Sequence, residues 1–238
     1  MAGDLTRAKS AAALAGAARV HRGATIALGT GSTATMAIRA LAERFTDGGD
    51  LTCVASSLAS EKLARDLGLP VRSLEESDRF DLMLDGADEV TPSLELTKGG
   101  GGALFREKFL ARLSREVVIL VDPSKLVPRV GTRVPIPVEV VPFARPALLR
   151  ELRGLGLGPA LRADNQGQPF LTDNGNEVLD LTPKSMVEDA AGLEALLHGL
   201  PGAVECGLFI GLVQRVLVGF PDGSVQERLP PAAHPRPA

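Results

Sequence analysis

Helical patterns alternate with short apolar runs from residue 4 to residue 121, and this alternation limits the fold more than any other feature of the chain. Leu5, Ala8, Ala12, Ala15 and Ala18 recur at helical spacing over residues 4–20, and Gly23 ends that segment. Thr25–Leu28 then reads as a buried strand, Ala34–Phe45 as a helix, Leu51–Ala55 as a strand and Glu61–Leu67 as a helix closed by Gly68. Phe80–Leu84 reads as a strand, Ala103–Leu113 as a helix and Val117–Val121 as a fully buried strand. Repeated β-α units of this kind give an α/β fold, here a Rossmann-like parallel sheet with helices on both faces. Right-handed crossovers place every loop that follows a strand at one edge of the sheet.

The pattern changes near Gly131. Val134-Pro-Ile-Pro137 reads as a linker. After it come a strand (138–141), a helix (145–153), a strand (159–163), a hairpin around Asn174-Gly175, a helix (186–198) and a strand (203–206). This order suggests a smaller α+β (ferredoxin-like) domain. Arg215–Gly219 and Val225–Arg228 read as strands that return to the first sheet. The expected boundaries are 1–130 with 207–229 for the Rossmann-like catalytic domain and 131–206 for the small domain. The Pro/Ala-rich segment 230–238 is expected to be disordered.

Composition narrows the class of partner. A net charge of −3, with Lys and Arg scattered among Asp and Glu, offers no basic stripe for nucleic acid. Trp and Tyr are absent, so base stacking is not expected. No apolar run approaches the length of a membrane span, and the N-terminus carries no signal-peptide pattern. Cys53 and Cys206 form no C-x-x-C pair and read as buried thiols in a reducing, cytoplasmic setting. His21, His198 and His234 are isolated in sequence, which gives no basis for a metal site or a catalytic histidine.

The loops after the strands carry the chemistry, because ligands of open α/β sheets bind outside the carboxyl ends of strands. Gly29–Ala34 spells G-x-G-x-x-A, a dinucleotide fingerprint. A nicotinamide site also wants an acidic residue ending the second strand, but Ser56-Ser57 stands there and Asp50 precedes the strand. A phosphate at the helix N-terminus remains, with Ser32 and Thr33 as added donors; the plain alternative is a tight turn with Ser and Thr as caps. Asp85-Gly-Ala-Asp-Glu89 could be an ordinary Asp-Gly turn. Lys98-Gly-Gly-Gly-Gly102 strings together four residues that lose much conformational freedom on ordering, which suggests backbone brought close to a ligand. Glu107, between Arg106 and Lys108, reads alone as a solvated helix residue, and Lys125 in Asp122-Pro-Ser-Lys125 is ordinary alone.

Together these segments, with Thr172-Asp-Asn-Gly-Asn176, resemble ribose-5-phosphate isomerase of the A type over essentially the whole chain apart from the Pro-rich tail. The resemblance implies aldose–ketose isomerisation between D-ribose 5-phosphate and D-ribulose 5-phosphate through an enediolate, a step of the non-oxidative pentose phosphate pathway. It implies Glu107 as the base that carries a proton between C2 and C1, and Lys98 with the backbone of Gly99, Gly100 and Gly101 as stabilisers of the enediolate. Asp85 is implied in ring opening and proton movement between oxygens, with Asp88 as a neighbouring site residue. Thr30, Gly31, Ser32, Thr33 and Lys125 are implied in phosphate binding, and Gly86 and Ala87 in the substrate-binding set. No cofactor and no metal are implied. Asp85, Asp88 and Glu107 could form an oxygen-rich cation site, but Lys98 disfavours it. The implied partners are a small sugar phosphate and a second copy in a homodimer.

The alternative is a non-catalytic sugar-phosphate-sensing domain. A first strand near residue 25 leaves no room for an N-terminal helix-turn-helix, and the retained Glu107 and Lys98 favour catalysis. A related acyl-CoA transferase would need its glutamate in a different glycine context. A deaminase would want a histidine near the site, and none lies between His21 and His198.

Overall fold

Apolar residues on five parallel strands build the core of the larger of the protein's two units. The computed structural model describes residues 2–77 and 79–231. In chain order the elements are α1 (Ala2–Ala18), β1 (Thr25–Leu28), α2 (Ser32–Arg44), β2 (Thr52–Ala55), α3 (Leu58–Asp66), β3 (Phe80–Asp85), β4 (Glu89–Val90), β5 (Leu96–Thr97), α4 (Leu104–Leu113) and β6 (Ser114–Val121). There follow β7 (Ile136–Val140), α5 (Arg145–Gly154), β8 (Pro159–Leu161), β9 (Glu177–Leu181), α6 (Ala190–His198), β10 (Ala203–Cys206), β11 (Leu208–Phe209), β12 (Arg215–Gly219) and β13 (Val225–Arg228). No described helix is long and apolar enough to cross a membrane.

The chain divides into two compact units. The first holds Met1–Ala87, Arg106–Leu126 and Gly211–Ala238. Its six-stranded sheet runs β13-β12-β6-β3-β1-β2, parallel except where β13 pairs antiparallel with β12. Ile26, Leu28, Leu82, Leu84, Val118, Leu120 and Leu217 form one buried cluster with residues of α1, α2 and α3. The alternate residues Ala27, Met83, Val117, Ile119 and Val218 are buried on the other face, as a sheet flanked by helices requires. On α1 the buried face is Ala8, Ala12, Ala13 and Ala17, while Leu5 is exposed. Small side chains thus face the core, where the sequence spacing had also enlisted Leu5. β1 lies between β2 and β3, so the chain moves outward from it in both directions, a topological switch point between β1 and β3.

The second unit holds Asp88–Phe105 and Val127–Ile210. Strands β7, β8, β9 and β10 form an antiparallel sheet in the order β10-β7-β9-β8, with α5 after β7 and α6 after β9. This is a β-α-β-β-α-β, ferredoxin-like arrangement. Its core gathers Ile136, Val138, Val140, Leu148, Leu152, Leu179, Leu181 and Leu197. A three-stranded sheet, β11-β5-β4, belongs to the same unit.

Two features differ from the sequence reading. Residues 88–105 group with the second unit rather than the first, because β4 and β5 pair with each other and with β11. Gly131, Arg133 and Val134 are tied to the same place by the buried Glu89 carboxylate, which accepts from their N–H groups and from Thr97 Oγ1. Pro137, read as linker, is the second residue of β7. Its carbonyl accepts from Gly207 N–H at 2.7 Å, just beyond the end of β10, and the Gly207 carbonyl accepts from Lys98 N–H in place of the N–H that proline lacks. The tail at 230–238 lies outside the described residues from 232 onward.

Candidate active site

The switch point brings the first loop against the end of β3. Gly29 N–H donates to Leu84 O at 2.9 Å, and Thr30 N–H donates to Asp85 Oδ1 at 3.0 Å. A Cβ on Gly29 would lie 2.0 Å from that same oxygen, so only glycine permits this approach. Asp85 is fully buried, and its Oδ1 also accepts from Gly86 N–H at 2.7 Å. The loop is fixed from its other side by β2 and α3. Thr30 Oγ1 lies 2.8 Å from Ser56 Oγ and donates to Ser57 Oγ at 2.9 Å, while Ser60 Oγ donates to Gly29 O at 2.7 Å. Ser56-Ser57, which replaces the acidic residue of a nicotinamide site, is therefore a brace for the loop.

Helix α2 begins immediately after Gly31, whose φ of 100° no other residue adopts readily, and no side chain caps it. The plain reading of this turn, with Ser and Thr as caps, does not hold. Thr33 is buried in the first turn, and Ser32 Oγ accepts a hydrogen bond from Lys9 Nζ at 3.1 Å. Lys9 escapes sequence reasoning because it sits on α1, 23 residues before its partner, in a segment that reads only as an Ala-rich helix. Lys125 ends a short 3-10 turn (Pro123–Lys125) after β6, whose carboxyl end lies at the same edge as those of β1 and β3. That turn is capped by Asp122, whose carboxylate accepts from Ser124 N–H at 2.9 Å.

Glu107 lies in the first turn of α4, the end of a helix that favours a carboxylate. It is only 4% exposed, so the solvated-helix reading fails, and the adjoining Lys108 is fully buried. α4 runs into β6 without a loop, which leaves Glu107 at the end remote from that junction. Within the first unit the structure thus gathers Lys9, Gly29–Thr33, Ser56, Ser57 and Asp85. Glu107 and Lys125 stand on that unit's own elements.

The second unit carries the remaining residues. Asp88 N–H donates to Thr97 O at 2.9 Å, and Asp88 Oδ2 accepts from Gly100 N–H at 2.8 Å. Lys98 is 3% exposed, with its N–H donated to Gly207 O at 2.8 Å and its Nζ 5.5 Å from the centre of the Phe209 ring. Gly99 is buried, whereas Gly100 and Gly101 are exposed. Glu89, the last residue of the Asp85–Glu89 motif, is structural, as described above.

The Thr172–Asn176 motif is structural as well. Thr172 Oγ1, Asn174 Nδ2 and Asn176 Nδ2 all donate to Oε1 of the buried Glu139, at 2.9, 3.1 and 2.9 Å. His198, isolated in sequence, pairs with Glu205 Oε1 at 2.5 Å, with Glu194 and Cys206 beside it. This is a histidine–carboxylate pair at the end of α6. Cys53 is held neutral, its thiol pushed up to about 12 by burial.

A sequence model of the family described as ribose 5-phosphate isomerase A (phosphoriboisomerase A) matches residues 52–223. Ribose-5-phosphate isomerase A of Chloroflexus aurantiacus is 48% identical over 217 residues, 90% of this chain and 90% of that protein. That of Thermomicrobium roseum is 47% identical over 218 residues, 91% of this chain and 92% of its own length. A solved D-ribose-5-phosphate isomerase in complex with phospho-erythronic acid matches with a TM-score of 0.91 at 34% identity, covering 95% of this chain and 99% of that chain. Ribose 5-phosphate isomerase A from Methanocaldococcus jannaschii gives a TM-score of 0.88 at 37% identity, covering 93% and 97%.

Proposed function

The chain belongs to the ribose 5-phosphate isomerase A family, and from that premise we propose how its own residues interconvert D-ribose 5-phosphate and D-ribulose 5-phosphate. The phosphate sits on Thr30, Gly31, Ser32 and Thr33 at the uncapped start of α2, with Lys9 and Lys125 supplying positive charge. Gly86 and Ala87 line the substrate beside it. Holding the phosphate fixes the carbons at the other end of the pentose.

The furanose must open before C2 becomes acidic, and Asp85 serves that step. The Glu107 carboxylate then removes the proton from C2. The electron pair moves into a C1–C2 double bond, and charge develops on O1. Lys98 and the backbone of Gly99 to Gly101 meet that charge, with Gly100 N–H held by Asp88 Oδ2. A proton passes between O2 and O1 with Asp85 as relay and Asp88 beside it, and protonated Glu107 returns its proton to C1. General-base catalysis of this kind contributes typically about 10²–10⁴-fold.

The observation that carries the reading is the seating of Gly29–Thr33 against a fully buried Asp85 at the switch point, held by Thr30 N–H. Chain connectivity supports assigning Asp88 to the same substrate as Asp85, since three residues span at most about 11 Å. The deciding experiment is incubation with ribose 5-phosphate and EDTA in D₂O. Ketose product with deuterium at C1 supports the mechanism. Tight binding without product indicates a sensor.

The enzyme acts in this reading as a cytoplasmic homodimer. Two buried free thiols suit a reducing compartment. Phe143, 96% exposed, and the neighbouring Val141 offer apolar surface for a second copy. Light scattering at working concentration tests the assembly, and a monomer overturns it.

A further inference from the structure

The glycine-rich loop at Lys98–Gly102 has little stiffness of its own. Gly99 and Gly102 occupy the left-handed region, at φ 93° and 80°, and glycine has several competing conformations of similar energy. Its shape is set by a residue some 60 positions downstream. Arg162 Nη1 donates to Gly99 O at 2.8 Å and to Gly100 O at 3.1 Å. The guanidinium is itself fixed, since Nε and Nη2 donate to the two oxygens of Asp180 at 2.9 and 2.5 Å. Phe170 completes the brace. Its ring centre lies 5.8 Å from the Arg162 guanidinium, and its edge packs so closely on Gly102 that a Cβ there would meet it at 2.4 Å.

A trans peptide is planar, with its C=O and the following N–H pointing in opposite directions. Drawing the Gly99 carbonyl toward Arg162 therefore turns Gly100 N–H away from it, and that N–H donates to Asp88. Drawing the Gly100 carbonyl to Arg162 likewise turns Gly101 N–H away. The guanidinium charge held against those carbonyls also polarises the two peptides and strengthens their N–H groups as donors.

We propose that Arg162, held by Asp180 and Phe170, is a positioning residue that aims the backbone N–H of Gly101 at the enediolate and keeps the Gly100 N–H on Asp88 beside it. This gives the four-stranded ferredoxin-like sheet a part in turnover besides stability. The proposal rests on the assignment of the Lys98–Gly101 loop to the developing charge, and the variants separate the two.

Arg162→Lys keeps the charge but loses the fork that serves Asp180 and two carbonyls at once. It is expected to lower kcat about tenfold or more while leaving KM within about threefold, the pattern of an interaction made in the transition state. Inhibition by phospho-erythronic acid should weaken in step with kcat/KM, and inhibition by inorganic phosphate should not. Added guanidinium, at concentrations that leave the circular dichroism unchanged, should restore part of the activity of Arg162→Ala, and methylammonium should not. Normal kcat in Arg162→Lys beside a crippled Lys98→Ala overturns the brace and leaves the loop assignment intact. Near-normal turnover in Lys98→Ala removes the loop assignment and the brace with it. A loss in Arg162→Ala that tracks unfolding, without guanidinium rescue, reduces Arg162 to a structural residue and overturns the proposal.

Discussion

The loops Gly29–Thr33 and Lys98–Gly102 are similar in composition and opposite in how they are held. The first is a product of its own β-α units. Its partners are Leu84 and Asp85 on the neighbouring strand and Ser56, Ser57 and Ser60 at the next crossover. The second takes its shape from Arg162 and Phe170, in a hairpin of a different sheet. A phosphate needs a fixed cradle, and any tight strand-to-helix turn provides one. Donors for a charge that exists only during the reaction must be aimed, and that takes a brace from elsewhere.

Substitutions distinguish the two loops. Glu107→Gln removes the proposed proton carrier, and it should fold normally while losing at least about 10²-fold in kcat; turnover near wild type would remove Glu107 as the base. Gly29→Ala tests whether the first loop is as rigid as its contacts suggest. The new methyl must displace Asp85 or the loop, so kcat should fall by about 10²-fold, the cost of misplacing a reacting group by an ångström. A loop that yields without loss of rate would erase the contrast with the second. Lys125→Ala and Lys9→Ala should each raise KM by about tenfold or less with kcat little changed, as loss of uniform binding requires; an unchanged KM would take either lysine out of the phosphate cradle.

The smallest effect concerns Cys53. Because burial raises its thiol pKa above the unfolded value, its contribution to stability is fully present below that value and is lost as pH rises toward 12. At pH 8 the folded enzyme should resist alkylation at this position and keep full activity. Rapid labelling of Cys53 in the native state would show that strand β2 opens, and with it the support of the first loop.

Much of the parallel sheet was legible because strands buried on both faces are continuous apolar runs. Thr25–Leu28 and Arg215–Gly219 appear with the boundaries that the pattern suggests; the exposed, antiparallel Val225–Arg228 was found by the turn before it. Helix α3 begins three residues earlier than its apolar pattern, because Ser57 Oγ caps Ser60 N–H at 3.1 Å. The two-residue strands β4, β5 and β11 are too short to show a period, so the small sheet that draws residues 88–105 into the second unit was invisible.

At the candidate site, carboxylates and lysines embedded in glycine could be found by their local context. Lys9 and Arg162 could not, since each meets its loop 23 or 63 residues away without a motif of its own. The burial of Glu107 was equally hidden, because its charged neighbours in sequence imitate a solvent face.

The path of the chain between its two units has a consequence for engineering. It crosses four times, at Ala87–Asp88, Phe105–Arg106, Leu126–Val127 and Ile210–Gly211. The first two crossings fall within two residues of a carboxylate assigned to the chemistry, and the third directly follows the Lys125 turn. Neither half expressed alone would own a complete set of working groups, and a chimaera assembled from two relatives would have its seams at the most sensitive positions in the molecule.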